Sequence, residues 1–229
     1  MSPDYKPDFF NGEIILIDKP IKLSSFRVVE KVRKIINFKK IGHAGTLDPL
    51  ATGLLILCTG KKTKDIDKYQ KLNKVYSGII TLGFYSDSFD TETELKPFLI
   101  PSNLNEEKIF QISKAFIGEI EQLPPMYSAI KKNGKRLYKF AREGKEIERR
   151  KRIIKIYNFS IDKIDLPNIH FTIECSKGTY IRALADDFGK ALNTRAVLSS
   201  LRRNRIGDFD VNEALTIEDF SKIFRLNFC

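Results

Sequence analysis

The sequence predicts an α+β fold: a mixed, mostly antiparallel central sheet flanked by helices, with a basic insertion. Three observations support this. Short apolar runs of strand character interleave with stretches whose apolar residues recur at helical spacing. Several strand-like runs read as hairpin partners, and no Gly-x-Gly-x-x-Gly follows a strand, as a dinucleotide-binding parallel sheet requires. At 229 residues, the chain is long enough to bury a sizeable core.

The elements follow in order. Glu13–Asp18 is an apolar run ending at Lys19-Pro20 and reads as a buried strand. Ser24 caps a helix running to about Asn37, with Phe26, Val29, Val32 and Ile36 at helical spacing. A loop from Gly42 to Gly53 follows, then an apolar strand, Leu54–Cys58. Val75–Leu82 is a further strand, with Gly83 after it. Asn105, followed by Glu106 and Glu107, starts a helix with Ile109, Ile112 and Phe116 on its buried face, and Gly118 stops it. Pro124-Pro125 opens a basic segment containing Asn133-Gly134, a turn or hairpin signal. His170–Ser176 alternates, with Phe171, Ile173 and Cys175 facing one way. Gly178-Thr179 breaks that strand. A helix then starts near Tyr180, with Ile181, Leu184, Ala185, Phe188 and Leu192 on its apolar stripe.

Composition narrows the function classes. Hydrophobic residues at 42% and charged residues at 30% suit a folded globular chain rather than a disordered one. No apolar run approaches the ~18 residues of a membrane span. The polar start Met1-Ser2-Pro3-Asp4 has no signal-peptide character, so a cytoplasmic, membrane-free protein is expected. Cys58, Cys175 and Cys229 are scattered, which argues against a disulfide framework or a zinc ribbon. The charge is uneven. Twelve basic and three acidic residues between Lys131 and Lys155 carry +9 of the chain's +11. Such a concentrated positive field suits a polyanion, because neutralising phosphates releases condensed counterions. The candidate contacts are Lys131, Lys132, Lys135, Arg136, Arg149, Arg150, Lys151 and Arg152.

The loop Gly42-His43-Ala44-Gly45-Thr46-Leu47-Asp48-Pro49-Leu50-Ala51-Thr52-Gly53 is the most informative stretch. Pro49 forces Asp48 away from helical angles and presents its carboxylate on an extended backbone. On composition alone, Asp48-Pro49 also reads as an ordinary turn start. His43 is one of two histidines and sits where it could stack on a base or do acid–base work. His170, at a strand start, reads as structural. Nucleophile-elbow, phosphate-loop and zinc-protease motifs are missing, and no cluster has metal spacing. Any chemistry therefore rests most simply on one carboxylate, without metal or nucleotide cofactor.

This loop resembles the signature of the TruB family of tRNA pseudouridine synthases. Further stretches carry the resemblance: Leu16-Ile17-Asp18-Lys19-Pro20, Lys74-Val75-Tyr76, Pro125-Met126-Tyr127-Ser128-Ala129, Gly134-Lys135-Arg136-Leu137-Tyr138, Cys175-Ser176-Lys177-Gly178-Thr179-Tyr180-Ile181-Arg182 and Leu201-Arg202-Arg203. Together they cover about Glu13 to Thr216. The resemblance implies isomerisation of uridine 55 in the T arm of tRNA to pseudouridine. It places the catalytic aspartate on Asp48, the tyrosine packing against the target base on Tyr76, and the arginine pairing with the aspartate on Arg182, with Tyr180 beside it. It places the nucleotide-flipping histidine on His43 and a pocket-lining leucine on Leu201.

The residue chemistry agrees with that implication. Exchanging an N1–C1′ bond for a C5–C1′ bond is redox-neutral and needs no cofactor. The target must leave the base stack at a cost of about a few kcal/mol, which a surrounding RNA-binding surface offsets. Asp48 must be ionised to act as nucleophile or base, and Arg182 is expected to keep it charged and oriented. Whether Asp48 attacks C6, attacks C1′ or removes a ribose proton stays open. Tyr76 offers a stacking face and a hydroxyl that could accept or relay the C5 proton. Two departures from the family pattern stand out. Lys22 replaces the glycine expected after Lys-Pro, implying a changed turn. The chain also ends about a dozen residues after its last motif. The expected organisation is therefore a single catalytic domain over residues 1–229, monomeric, with the RNA-binding insertion at about 123–155 and no C-terminal domain of the PUA type. The alternatives are a tRNA-binding folding chaperone without modification activity, which would use the same basic segment, and a glycosylase-type hydrolase, in which Asp48 cleaves the same bond and releases free uracil.

Overall fold

The structure, a computed structural model, describes residues 7–132 and 134–226, with side chains through 224. The Met1–Asp4 start, Asn133 and Cys229 lie outside the described residues. In chain order the elements begin with β1 (Ile14–Lys19), α1 (Ser25–Ile35), β2 (Ile41–His43), β3 (Thr52–Thr59), α2 (Ile66–Lys71) and β4 (Lys74–Leu82). There follow β5 (Phe84–Tyr85), β6 (Lys96–Pro97), α3 (Glu106–Ala115), β7 (Gly118–Gln122), β8 (Lys131–Lys132), β9 (Lys135–Arg136) and α4 (Leu137–Arg142). Then come β10 (Arg152–Asp165), β11 (Asn168–Cys175), α5 (Ile181–Ala191), β12 (Ala196–Ile206), β13 (Phe209–Asp210) and α6 (Ile217–Leu226). The fold is α+β, with a mixed and mostly antiparallel sheet. Two compact units divide the chain: Met1–Tyr76 with Arg202–Cys229, and Ser77–Leu201.

The first unit is organised on β3. β1 pairs with it antiparallel from Ile14↔Cys58 to Lys19↔Gly53, and β2 pairs antiparallel at Ile41↔Thr59 through His43↔Leu57. The end of β12 adds a parallel pairing at Arg202↔Thr52 and Arg203↔Gly53. Leu54 to Cys58 are all fully buried, because both faces of the strand are covered. Leu55 and Leu57 pack with Val28, Val29 and Val32 of α1 and Phe220 and Phe224 of α6. Leu54, Ile56 and Cys58 pack with Tyr69, Ile206 and Val211 on the opposite side. This double coverage explains an apolar run without alternation.

Ser24 caps α1 as expected, its hydroxyl accepting from Arg27 N at 3.3 Å. The buried stripe is Ser25, Val28, Val29 and Val32, so Phe26 is not on it and stands 59% exposed. The helix turns Ser25 inward because that hydroxyl bonds the backbone of Leu47.

In the second unit the strand order is β12–β4–β11–β10–β7. β10 pairs antiparallel with β11 and with β7. Ile169, Phe171, Ile173 and Cys175 are buried on alternate positions of β11, as their spacing predicts. The predicted stripe of α5 is buried too, and Phe188 meets Phe159 of β10 at 5.4 Å between ring centroids. The helix α3 ends at Ala115, with Asn105 accepting from Lys108 N as its cap. Gly118, at φ +114°, opens β7 rather than stopping that helix. Among the described residues, no helix is long and apolar enough to cross a membrane.

Candidate active site and nucleic-acid interface

Asp48, His43 and Tyr76 belong to the first unit; Tyr180, Arg182, Leu201 and the basic segment belong to the second. The sequence-level loop is shorter than its composition suggests. Gly42 and His43 lie in β2, and Thr52 and Gly53 in β3, which leaves residues 44–51 as the connection. His43 is thus a strand residue, not a loop residue. Burial pushes its pKa below the ordinary histidine value, against the opposing hydrogen bond at the Gly45 backbone, with the Arg203 charge adding to the fall. The imidazole is therefore neutral at neutral pH. Its buried Nδ1 has no hydrogen-bond partner among the described residues.

The backbone carrying Asp48 is held at every carbonyl from Gly45 to Pro49. Arg203, 1% exposed, donates from Nη2 to Gly45 O at 3.3 Å and from Nη1 to Thr46 O at 3.5 Å. Its Nε donates to Leu54 O at 2.8 Å. Ser25 Oγ donates to Leu47 O at 3.2 Å and accepts from Leu47 N at 2.9 Å. Ala51 N donates to Asp48 O at 3.1 Å, so Asp48-Pro49 does start a turn. Pro49 O accepts from Lys22 N at 2.8 Å and from Lys19 Nζ at 3.4 Å. Asp48 itself is half-buried.

Lys19 is fully buried at the end of β1, its ammonium also donating to Leu23 O at 2.7 Å and Pro20 O at 2.9 Å. Burial pulls its pKa down to about 8, the Asp48 carboxylate opposing and the Arg203 charge adding to the fall. Lys22 adopts φ +63°, the left-handed conformation a glycine takes without strain. The expected change of turn therefore reduces to a lysine in a glycine-type backbone. Tyr76 on β4 is 8% exposed. Arg202 forms a bidentate pair with Asp18 at 3.0 and 2.7 Å.

In the second unit, Arg182 is a buried residue at the start of α5. Its Nη1 donates to Ser88 O and its Nη2 to Tyr127 O, both at 2.9 Å, and its Nε lies 3.4 Å from Asp90 Oδ2. Tyr180, just before the helix, is held by the buried Gln122 amide. That amide accepts from Tyr180 N at 2.8 Å and donates to Tyr180 O at 3.1 Å. Leu201 is half-buried on β12.

The basic segment forms a β8–β9 hairpin, Lys131↔Arg136 and Lys132↔Lys135, followed by α4. Lys135 pairs with Glu143, Arg149 with Glu146 at 2.8 Å, and Lys151 with Glu121 at 3.1 Å. Lys131, Arg136 and Arg150 are exposed and form no ion pair among the described residues. A cavity of about 470 Å³ is lined by Ile130 and Leu137, by Lys131, Lys132, Arg149, Arg150 and Arg152, and by Glu148. The Arg152 guanidinium stacks over the Tyr180 ring at 4.6 Å, joining this segment to a predicted substrate-binding residue.

Sequence reasoning missed roles for Lys19, Asp90, Gln122 and Arg203. Each acts through a partner that composition does not reveal; only Lys19, inside an apolar run's end, left a local signal. Among the described residues, no group of three or more His, Cys, Asp or Glu side chains is placed to hold a metal.

A family profile described as "TruB family pseudouridylate synthase (N terminal domain)" matches residues 33–181, and one described as "tRNA pseudouridylate synthase B C-terminal domain" matches residues 182–227. The chain is 48% identical over 229 residues to tRNA pseudouridine synthase B of Flavobacterium johnsoniae, covering 97% of this chain and 99% of that one. It is 45% identical over 214 residues to tRNA pseudouridine synthase B of Chloroherpeton thalassium, covering 91% and 89%. A solved structure described as "Crystal Structure of a Cbf5-Nop10-Gar1 Complex" is similar with a TM-score of 0.75 and 31% identity. The match covers 96% of this chain and 59% of that one, so the chain spans less than two thirds of that solved relative. A "Structure of H/ACA RNP bound to a substrate RNA containing 2'-deoxyuridine" gives a TM-score of 0.71 at 28% identity, over 94% of this chain and 55% of that one.

Proposed function

The chain belongs to the TruB family of pseudouridylate synthases, and on that premise we propose that it isomerises uridine to pseudouridine in tRNA, at position 55 of the T arm. Asp48 is the catalytic group. The observation that carries this reading is the Gly45–Pro49 backbone, whose carbonyls all have donors, so that the Asp48 carboxylate is presented from a fixed frame.

The reaction balances without an external reagent. The N1–C1′ bond breaks, the base turns, C5 bonds to C1′, C5 loses a proton and N1 gains one. His43, neutral at neutral pH, serves as a flat partner for the displaced nucleotide rather than as a cation. Tyr76 offers a base its ring. Tyr180, Arg182 and Leu201 are the substrate-binding residues of the second unit. The cations of the 131–152 segment hold RNA phosphates, and Arg150, Lys131 and Arg136 are among the exposed charges available for it. The protein works as a cytoplasmic monomer and requires neither metal nor cofactor.

The test is tritium release from a tRNA transcript carrying C5-labelled uridine. Wild type releases tritium in proportion to pseudouridine formed, Asp48→Asn releases none while still binding the transcript, and a transcript with cytidine at position 55 releases none from that site. Full turnover by Asp48→Asn would overturn the catalytic assignment, and release from the cytidine-55 transcript the positional one.

A further inference from the structure

Arg203 was absent from the candidate site residues read from the sequence, yet it is the most buried large cation in the first unit besides Lys19. Among the described residues, its three side-chain hydrogen bonds end on carbonyls of the segment that carries Asp48 or of the strand that segment enters: Gly45, Thr46 and Leu54. None ends on a carboxylate. A buried guanidinium that satisfies backbone carbonyls acts as a fastener for an irregular loop, since such carbonyls have no ladder to join. Its reach depends on close approach of β12 to β3. A Cβ at Gly53 would lie 2.3 Å from Arg203 O, so only glycine lets the two backbones meet there.

Ser25 grips the same segment from α1, both donating to and accepting from Leu47, the residue before Asp48. Thus Asp48 is flanked on its N-terminal side by three residues whose carbonyls are held by side chains from two distant elements. On its C-terminal side a turn bond and the Pro49 carbonyl complete the frame.

We propose that Arg203 and Ser25 are positioning residues that set the backbone from which Asp48 reaches the reacting nucleotide. The proposal rests on Asp48 being the catalytic group, and it goes beyond that assignment by naming what fixes its orientation. Losing either fastener leaves the turn free to shift by a fraction of an ångström to an ångström, and a displacement of that size costs up to about 100-fold in rate. RNA affinity, supplied elsewhere, stays the same.

The experiment compares wild type with Arg203→Lys, Ser25→Ala and Ser25→Thr in full-length protein. It measures the single-turnover rate of pseudouridine formation, tRNA affinity, the thermal midpoint, and amide hydrogen exchange over residues 44–54. The expected result is a rate lowered by roughly 10- to 100-fold in Arg203→Lys and Ser25→Ala. Affinity is unchanged, the rate in Ser25→Thr is restored, and exchange at 44–51 is faster. Folded Arg203→Lys and Ser25→Ala proteins with wild-type rates would overturn the proposal, as would a rate loss no larger than the loss of tRNA affinity. If Arg203→Lys does not fold, the Ser25 pair decides by the same criteria. If wild type itself forms no pseudouridine, the functional reading fails separately. Exchange at 44–51 then decides: faster exchange in Ser25→Ala keeps the fastening role, and unchanged exchange removes it.

Discussion

Arg182 and Asp90 form an ion pair, 3.4 Å from Nε to Oδ2, in which neither side chain is more than 6% exposed. The guanidinium's other nitrogens are committed to two carbonyls. A buried cation tolerates the loss of a carboxylate partner poorly, because its charge stays desolvated. Asp90→Ala is therefore expected to destabilise the protein by about 3 kcal/mol, read from urea unfolding midpoints at constant slope. Arg182→Met combined with Asp90→Ala should recover part of that loss, since no guanidinium is then left buried opposite a missing carboxylate.

The exposed cations of the basic segment make a different kind of prediction. Lys131, Arg136 and Arg150 are exposed, with no ion-pair partner among the described residues, so they are free to meet phosphates. Replacing all three with glutamine should weaken tRNA binding and flatten its salt dependence by up to about 0.9 logarithmic units per lost phosphate contact. Filter binding from 50 to 200 mM salt, conditions chosen to span roughly this regime, gives the slope. A slope identical to wild type would place the RNA elsewhere.

His43 gives the pH prediction. Its folded pKa lies below the unfolded value, which is about 6.5. Below that pH the unfolded chain therefore binds more protons than the folded one, and stability falls as the solution is acidified from about pH 6.5 toward the folded value. His43→Gln removes this contribution. The difference in unfolding free energy between the two proteins should shrink as pH drops through that window, and be constant above it. Carboxylates common to both proteins cancel in the comparison.

Gly53→Ala tests the approach of β12 to β3. The position has φ +102°, and an added methyl would meet Arg203 O at 2.3 Å and Arg203 N at 2.7 Å, both backbone atoms. We expect a loss of at least about 1–3 kcal/mol from backbone strain alone, seen as a lowered thermal midpoint. Gly134→Ala, with nothing within 4 Å of its added carbon but φ +78°, is the control for strain without collision.

Much of this architecture was legible in the chain because it is written locally. The alternation of Phe171, Ile173 and Cys175 and the stripe of Ile181, Leu184, Ala185 and Phe188 each report their own burial. The cap at Ser24 needs only its own helix. Phe26 leaves the stripe its spacing predicts because the inward turn of Ser25 is set by Leu47, a partner 22 positions away. Gly118 reads as a helix stop in the sequence because a strand start and a helix end use the same residue type. Asp48 was found through a family pattern, not through physics, since Asp-Pro alone reads as a turn. The fasteners were illegible for a common reason: Asp90 reaches Arg182 from another part of the chain, and Arg203 reaches Gly45 across 158 positions.

That last separation bears on synthesis. A ribosome releases the amino end first, so the segment bearing Asp48 emerges long before Arg202 and Arg203, whose partners lie 149 to 184 positions upstream. Residues 77–201 are contiguous and can condense as they appear, whereas the first unit waits for its final strand. A nascent chain halted before position 202 would carry the Asp48 loop with two of its flanking carbonyls, those of Gly45 and Thr46, unfastened, and competence for chemistry arrives only with the closing stretch of translation.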